Sequence, residues 1–387
     1  MFINYTKHQI YKNDIKEVIK VLKSGEITQG KKVFEFEKKL NKKFKSKYCN
    51  VVSSGTAALH LTGMALGWSS KDIVITTPMT FLSTVNSILY SAAKPYLVDI
   101  NSSDSTIDLN ILEDKIIKLR KFKKNRIRSV IAVDYAGQPC DWKGLKYLSN
   151  KFSFSLVNDN CHALGSKYYG DIGYAAKYAD VVTHSYHASK NITSGEGGSI
   201  ITNKKEIYEK TKILRTHGVN KSSKLDKKKG IWFYEMTNLG FNYRLSDLNC
   251  ALGIGQLKKL NYFVKERRKI AKIYDREFLD LNFVQTPTQI KNTYHSYHLY
   301  PLRINFNKLK IDKKNLFRHF INIGIKFQVH YIPIFLQPYY KKKFNFDLKE
   351  YKNSIKHYNE EVSLPIYPNL SLKKIYFIIK KLKDFLY

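Results

Sequence analysis

A lysine and an aspartate that each follow an apolar, strand-like run are the residues best suited to chemistry. Lys190 lies in THSYHASKNITSGEGGSI, between a predicted strand and a glycine-rich bend, and Asp159 ends the run FSFSLVND. Alone, such a lysine is usually solvated, and such an aspartate is usually a turn or cap residue. Together, however, an amine can form a Schiff base with a carbonyl group, and a carboxylate can hold a proton on a heterocyclic nitrogen.

A third feature, a turn rich in serine and threonine, is suited to binding an anion. In VVSSGTAALHL, Gly55 and Thr56 stand between a predicted strand and a predicted helix. Backbone N–H groups at a helix N-terminus bind phosphate, although serine and threonine caps are also common without a ligand. The lysine, the aspartate and the turn together are suited to binding pyridoxal 5′-phosphate (PLP). This cofactor needs a Schiff-base lysine, a carboxylate at its pyridine nitrogen and a site for its phosphate.

Seven predicted strands would position the lysine, the aspartate and the turn. Each is a short run rich in β-branched residues that ends in a small or polar turn. Buried strands that alternate with helices predict an α/β fold with a mostly parallel seven-stranded sheet, covered on both faces. Ligands bind at the carboxyl ends of strands in such sheets, so we expect the three features to meet there. The runs are YCNVVSSG, DIVITTP, KPYLVDI, RSVIAVDYAG, FSFSLVND, DVVTHSY and GGSIITN.

The length and pattern of the chain predict two domains and a short arm. A chain of 387 residues is long enough for one large core and a smaller one. From about Ser246 the pattern changes to long helices and then to mixed strands and helices. We expect an N-terminal arm over 1–25 packed against the second domain, a large domain over 26–260, and a small C-terminal α/β domain over 261–387.

Composition argues against several other kinds of protein. No cysteine belongs to a CxxC pair, so we expect reduced thiols and neither a zinc site nor any other metal site. No run approaches 18 apolar residues and the N-terminus lacks an apolar signal segment, so a cytoplasmic protein without a membrane span is expected. The cysteines are Cys49, Cys140, Cys161 and Cys250.

The net charge of +35 does not by itself indicate nucleic-acid binding. The excess is mostly lysine, and its clusters are scattered along the chain, with no zinc-finger spacing and no helix-turn-helix extension. We therefore expect no nucleic-acid partner, and assign part of the charge to attraction of an anionic substrate. The clusters begin at Lys38, Lys121, Lys221 and Lys341.

An ordered string of motifs from Tyr5 to Pro368 resembles the DegT/DnrJ/StrS-type sugar aminotransferase family. The motifs include SSGTAALHL, DNCHALGS, SYHASK, EGGSIIT and NYRLSDLNCALGIGQLKKL. The resemblance implies a fold-type-I PLP-dependent transferase that moves an amino group to a nucleotide-linked keto-sugar, with glutamate as the implied amino donor. The segments GFNYRLSDLNCALG, VDYAGQP and QVHYIPIFLQPYY look most like the pseudaminic-acid branch, which aminates C4 of a UDP-linked 4-keto-6-deoxy-N-acetylhexosamine.

The resemblance assigns roles around the cofactor. Lys190 would hold PLP as a Schiff base and carry the proton during transfer, and Asp159 would pair with the pyridine nitrogen. Ser185 would bind the phosphate together with Gly55 and Thr56. These assignments place the lysine, the carboxylate and the phosphate turn in one site.

Three further cofactor residues rest on the resemblance and have alternatives. Phe81 would cover the cofactor face, although a core phenylalanine is the alternative. His162 would lie near the ring, although a turn histidine bonded to backbone is the alternative. Asn242 would reach the phosphate of the neighbouring subunit, which implies a homodimer with active sites at the interface.

The substrate side is assigned to three segments that match substrate-lining parts of the pseudaminic enzymes. For Tyr5 the alternative is a mobile terminus. Branches that aminate a pentose carry tryptophan at the position of Phe81, which disfavours a UDP-keto-pentose, and a dTDP-linked keto-6-deoxyhexose stays open as the acceptor. The substrate residues are Tyr5, Ile27, Thr28, Gln29, Gly30, Val329, His330, Tyr331 and Ile332.

The sequence argues against two functions other than an aminotransferase. A sugar dehydratase of the same fold carries histidine where the aminotransferases carry lysine, and Lys190 argues against it. A PLP-binding regulator or a nucleic-acid-binding protein would need a separate DNA-reading element, and the sequence contains no motif typical of one.

Overall fold

The structure is a computed structural model that describes residues 2–122, 126–221 and 229–387. The basic clusters beginning at Lys121 and Lys221 lie partly outside them. Within these ranges the helices are α1 (Lys12–Leu22), α2 (Lys31–Phe44), α3 (Gly55–Ala65), α4 (Leu82–Tyr90), α5 (Leu109–Arg120), α6 (Trp142–Phe152), α7 (Tyr174–Tyr178), α8 (Lys205–Leu214), α9 (Asp247–Lys258), α10 (Leu260–Phe278), α11 (Phe306–Leu309), α12 (Lys313–Asn322), α13 (Pro338–Lys343), α14 (Lys352–Glu360) and α15 (Leu372–Leu386). The strands are β1 (Tyr48–Val52), β2 (Asp72–Thr76), β3 (Lys94–Leu97), β4 (Arg126–Val133), β5 (Ser155–Asp159), β6 (Lys167–Tyr168), β7 (Val181–Ser185), β8 (Gly198–Thr202), β9 (Val219–Asn220), β10 (Glu235–Met236), β11 (Val284–Gln285), β12 (Thr293–Tyr294), β13 (Tyr300–Ile304) and β14 (Glu361–Leu364).

The seven sequence runs expected to be strands form one sheet, in the order β1-β8-β7-β5-β4-β2-β3. Strands β3, β2, β4, β5 and β7 pair in parallel, whereas β8 is antiparallel to both β7 and β1. The prediction of a mostly parallel seven-stranded sheet is confirmed. Strand β8 reverses because no helix separates it from β7, and a parallel pair needs a long crossover connection.

Helices cover both faces of this sheet because successive strand residues point to opposite sides. In β4, Val130 and Ala132 pack into a core with Trp142 of α6, whereas Ile131 packs into a core with Leu61 of α3. Every residue of β2, β7 and β8 is buried. The expected α/β class is therefore confirmed, and the sheet offers a rigid edge at its carboxyl ends.

A second hydrophobic core surrounds a three-stranded antiparallel sheet in the order β11-β13-β14. Helix α10 contributes to both cores, with Leu260 and Phe263 in the first and Tyr274 and Phe278 in the second. Helices α12 and α15 also pack into the second core. The expected smaller α/β part is present, and a boundary at residue 260 stays a prediction.

The N-terminal arm packs against two different parts of the protein. Ile3 forms a parallel bridge to Ile325, and the backbone N–H of Ile366 donates to the carbonyl of Tyr5 over 3.1 Å. Helix α1, by contrast, packs on α9, where the carboxylate of Asp14 accepts from Gln256 Nε2 at 2.9 Å. The expectation that the whole arm packs on the second domain is therefore wrong for α1, whose buried acid is partnered by α9.

The four cysteines are all free, and three of them are buried. In the described part of the chain, no helix is long and apolar enough to cross a membrane. Groups of three or more histidine, cysteine or acidic side chains arranged to hold a metal ion are also absent from the described residues.

Candidate active site

A cavity of about 580 Å³ opens at the carboxyl ends of the parallel strands. Loops that follow β2, β5 and β7 form one side of it, and residues 328–332 form the other. Most of the residues expected at the site line this cavity. These are Tyr5, Gly55, Thr56, Phe81, Asp159, His162, Ser185, Lys190, Val329, His330, Tyr331 and Ile332.

Lys190 is partly buried and lies at the end of a turn that follows β7. Its backbone N–H donates to the carbonyl of His187 over 2.9 Å, which closes this turn. Burial lowers the pKa of the Lys190 amine, and nearby Asp159 and Cys161 offset part of that shift. Among the described residues, the amine has no hydrogen-bonded partner. A free amine with a lowered pKa is suited to attack a carbonyl and to exchange a proton near neutral pH.

The carboxylate of Asp159 is buried and held by side-chain and backbone donors. Thr84 Oγ1 donates to Oδ2 over 2.7 Å, and the N–H of Cys161 donates to Oδ1 over 3.3 Å. Thr80 Oγ1 lies 2.7 Å from Thr84 Oγ1. Since Thr84 uses its single hydrogen on the carboxylate, Thr80 donates to Thr84. Asp159 is thus oriented by the first turn of α4.

The N-terminus of α3 forms the turn expected to bind phosphate. Ser54 caps the helix by accepting from the N–H of Ala57 over 3.0 Å. Gly198 passes so close to this turn that an added Cβ would lie 2.4 Å from the carbonyl oxygen of Ser54. A Cβ on Gly55 would lie 2.9 Å from Cβ of Ser185. These glycines bring the helix N-terminus and the end of β7 together, leaving room for an anion beside them.

Phe81 and His162 form an aromatic wall with Tyr331. Phe81 is 53% exposed, which makes the alternative of a core phenylalanine wrong, and its ring centroid lies 5.9 Å from that of Tyr331. His162 Nδ1 accepts from the backbone N–H of Ala136, and Nε2 lies 2.9 Å from the hydroxyl of Tyr331. His162 therefore both bonds to backbone, as its alternative proposed, and lines the cavity.

The hydrogen bonds also fix the direction of donation at His162. Burial and the nearby Lys190 hold the pKa of His162 well below its usual range, so the ring is neutral. Because Nδ1 accepts from Ala136, the single ring hydrogen is on Nε2 and donates to Tyr331. The hydroxyl hydrogen of Tyr331 is consequently free to donate to another acceptor.

Two groups of expected site residues lie outside this cavity. Asn242 forms a bridge to Thr216 and does not line the cavity of its own chain. Its expected partner is a phosphate in the neighbouring subunit, so that role stays a prediction. The turn of Ile27, Thr28, Gln29 and Gly30 is also outside the cavity and lies against Asp247, whose N–H donates to the carbonyl of Ile27 over 3.1 Å. Its substrate role likewise stays a prediction.

Several residues near the site were not found by sequence reasoning. Thr80 and Thr84 support Asp159, and their spacing of four residues at the start of a helix was the available signal. His298 lines the cavity, and its ring centroid lies 4.6 Å from that of His162. Burial and Lys190 hold the pKa of His298 well below its usual range. Nothing in the segment HSYHLY distinguishes His298 from a core histidine.

A family profile matches nearly all of the chain. The profile describes the DegT/DnrJ/EryC1/StrS aminotransferase family and matches residues 8–383. The chain belongs to this family. The relationship confirms the resemblance identified in the sequence motifs, and the enzyme class is that of the sugar aminotransferases.

Individual relatives agree with this assignment. The chain is 37% identical to the UDP-4-amino-4,6-dideoxy-N-acetyl-beta-L-altrosamine transaminase of Campylobacter jejuni, over 97% of this chain and 95% of that protein. It superimposes on Helicobacter pylori PseC, an aminotransferase of pseudaminic acid biosynthesis, with a TM-score of 0.89 and 32% identity over 99% of both chains. It also matches the PLP form of Spr1654 of Streptococcus pneumoniae, described as a candidate sugar aminotransferase. That match has a TM-score of 0.89 and 27% identity over 100% of this chain and 99% of the other.

Proposed function

We propose that this enzyme transfers an amino group, from glutamate, to C4 of a UDP-linked 4-keto-6-deoxy-N-acetylhexosamine. The product would be an amino sugar for pseudaminic acid or a related surface-glycan sugar. The observation that carries this proposal is the near full-length similarity to the Campylobacter jejuni transaminase. The cavity at the carboxyl ends of the strands supports it, since a free lysine amine and a buried carboxylate both line that cavity.

The cofactor is pyridoxal 5′-phosphate, and the chain's residues fit it. The amine of Lys190 is free to bond to its carbonyl carbon, and the carboxylate of Asp159 is suited to its pyridine nitrogen. Ser185 and the N-terminus of α3 at Gly55 and Thr56 provide hydroxyl and N–H donors suited to its phosphate. When bound, PLP supplies an electron sink for the carbanion that forms when the amino donor loses its α-proton.

The protein's own part in the reaction is to hold the reactants and to move protons. Lys190, with a lowered pKa, would take the α-proton from the amino donor in one half-reaction and would deliver a proton to C4 of the sugar in the other. Asp159, oriented by its bonds to Thr84 and the backbone, would pair with the ring nitrogen and keep it protonated. Phe81 would cover one face of the ring and exclude water.

We further propose a homodimer in which Asn242 contributes to the neighbouring subunit's site. Its absence from the cavity of its own chain supports this arrangement. The same arrangement would allow the turn of residues 27–30 to contact the substrate of the neighbouring subunit. A cytoplasmic location, with no nucleic-acid partner, stays a prediction of the sequence.

The function is tested by offering the purified enzyme glutamate with a panel of UDP- and dTDP-linked keto-sugars, and detecting amination by mass spectrometry. We expect the UDP-linked 4-keto-6-deoxy-N-acetylhexosamine to be aminated with the highest kcat/KM. The variant Lys190→Ala serves as the control for amination without enzyme. A preference for a dTDP-linked keto-6-deoxyhexose or a UDP-keto-pentose would contradict the proposed acceptor while leaving the aminotransferase class intact.

A further inference from the structure

His330 lines the cavity and is connected to a fully buried carboxylate behind it. Its Nδ1 lies 2.8 Å from the hydroxyl oxygen of Ser363, and Ser363 in turn donates to Oε1 of Glu361. The backbone N–H of His330 donates to the other carboxylate oxygen, Oε2, over 2.9 Å. Glu361 and Ser363 alternate along β14 and so point to the same face of that strand.

The directions of these hydrogen bonds determine which nitrogen of His330 carries hydrogen. Burial raises the pKa of Glu361 to about 7. Above that pH the carboxylate is ionised and accepts only, so the single hydroxyl hydrogen of Ser363 goes to Glu361. The oxygen of Ser363 must then accept from His330, which places the ring hydrogen on Nδ1. Burial and the nearby Lys190 lower the pKa of His330 to about 3, so the ring is neutral and has one hydrogen. Its Nε2 therefore presents a lone pair.

This lone pair is available to a ligand. Among the described residues, Nε2 of His330 has no hydrogen-bonded partner, and the residue lines the cavity beside Lys190. The neighbouring Tyr331, whose ring centroid lies 4.9 Å from that of His330, has a free hydroxyl hydrogen. Two adjacent residues thus present one acceptor and one donor, with His330 oriented by Ser363 and Tyr331 oriented by His162.

Burying a carboxylate at this position is unfavourable in free energy, which suggests that the carboxylate has a role. Glu361 is 0% exposed. This burial raises the pKa of Glu361, whereas the hydrogen bonds that Glu361 accepts and the nearby Lys313 offset part of the shift. An apolar residue would fill β14 at lower cost. The carboxylate's two accepted bonds both lead to His330, one through the backbone and one through Ser363.

We propose that Glu361 and Ser363 are positioning residues that hold His330 with its hydrogen on Nδ1, so that Nε2 accepts a hydrogen bond from a hydroxyl or N–H group of the acceptor sugar. The identity of the ligand rests on the proposed function. The hydrogen position does not, because it is a property of the resting enzyme. The two parts are therefore tested separately.

The hydrogen position is tested by NMR of holoenzyme containing ¹⁵N-labelled histidine, recorded at about pH 8.5, where Glu361 is ionised. His330→Gln identifies the His330 signals by their loss. We expect a protonated Nδ1 and an unprotonated Nε2. In Glu361→Gln the amide would donate to Ser363, whose hydroxyl would donate to Nδ1, so the hydrogen should move to Nε2. A wild-type ring protonated on Nε2, or an unchanged hydrogen position in Glu361→Gln, overturns the proposal.

The acceptor bond is tested with kinetics on UDP-linked 4-keto-6-deoxy-N-acetylhexosamine. Glu361→Gln and Ser363→Ala should raise KM for the sugar about tenfold, while the half-reaction with glutamate alone keeps its rate. Glu360→Gln is the matched control and should leave both unchanged. Equal losses in both half-reactions would indicate a merely structural role and would contradict the proposal. If no keto-sugar is aminated, the proposed function fails and the NMR result still decides the hydrogen position.

Discussion

Thr84 donates a hydrogen bond of 2.7 Å to Asp159, across 75 residues of sequence. The hydroxyl comes from the first turn of α4 and the carboxylate from the end of β5, so two separate elements fix one acid. Thr80 donates to the hydroxyl oxygen of Thr84 in turn, and the hydroxyl hydrogen of Thr84 therefore points to Asp159. The orientation of the candidate cofactor carboxylate is therefore set by Thr84 in the first turn of α4, with Thr80 of the preceding loop behind it.

Removing the Thr84 hydroxyl should weaken catalysis without removing the cofactor. Thr84→Val keeps the shape but loses a bond to a charged group worth about 1.5 to 3 kcal/mol, so kcat should fall about tenfold or more. Thr84→Ser, which retains the hydroxyl, should restore most of the rate. Steady-state kinetics of the two variants at saturating substrate provides the measurement. If Thr84→Val has the same kcat as the wild type, Thr84 does not have this role.

Replacing the carboxylate itself should have a larger effect. Asp159→Asn should keep cofactor that borohydride can trap on the protein, yet lose most turnover, since a neutral amide cannot hold the proton on the ring nitrogen. Asp108→Asn, at the N-cap of α5, is the matched control because asparagine caps helices as well as aspartate does. Near-normal turnover of Asp159→Asn would exclude the assigned role.

Lys190→Ala should abolish both turnover and covalent attachment of the cofactor. The purified wild type should be yellow, and borohydride treatment should fix PLP to Lys190, as detected by peptide mass spectrometry. Lys205→Ala, on the exposed first turn of α8, should behave as wild type. Cofactor that borohydride still fixes to the Lys190→Ala protein would show that another amine forms the bond.

Mixed dimers should test whether Asn242 acts across subunits. Lys190→Ala and Asn242→Ala should each be severely impaired, the second because a charge-assisted phosphate bond of about 1.5 to 3 kcal/mol is lost. A heterodimer of the two would contain one intact site, so mixing should restore activity. If subunit exchange is verified by mass spectrometry and activity stays absent, Asn242 acts within its own chain or has no role in the site.

Acid should destabilise the protein through its buried histidines, and His184 offers a specific test. Burial lowers the pKa of His184 to about 3, against roughly 6.5 in the unfolded chain. The folded state thus binds fewer protons, so the stability contribution is complete above about pH 6.5 and is lost as pH falls toward 3. Relative to His184→Gln, the wild type should lose about 1.6 kcal/mol between pH 6.5 and 5. Urea unfolding at equal protein concentration measures this, and a pH-independent difference would contradict it.

The sequence predicted the sheet well because several of its strands, including β2, β7 and β8, are buried on both faces. Runs such as DIVITTP and DVVTHSY combine β-branched residues with turn residues, and the chemistry-bearing side chains follow them directly. The reversal of β8 was also readable in principle, since no helical pattern separates DVVTHSY from GGSIITN. Lys190 and Asp159 were found because their residue types are informative at strand ends.

The supporting residues were not predictable in the same way. Thr84, His298 and Ser363 are of types that occupy ordinary structural positions in most proteins. Their relevance depends on distances between elements that are far apart in the chain, such as the 33 residues that separate Ser363 from His330. The packing of α1 on α9 was missed for the same reason. In the sequence Asp14 resembles a solvated helix residue, and only the folded structure shows that Gln256 donates a hydrogen bond to it.

The pairing of Ile3 with Ile325, and of Tyr5 with Ile366, sets an order of events during synthesis. At about 5 to 20 residues per second, a ribosome needs roughly 20 to 70 s to proceed from the third residue to Ile366. Until Ile366 is made, the carbonyl of Tyr5 lacks this partner, although the whole seven-stranded sheet has been translated by Thr202. The wall of the cavity that Tyr5 forms is therefore assembled last, and a nascent chain stalled before β14 would leave that side open.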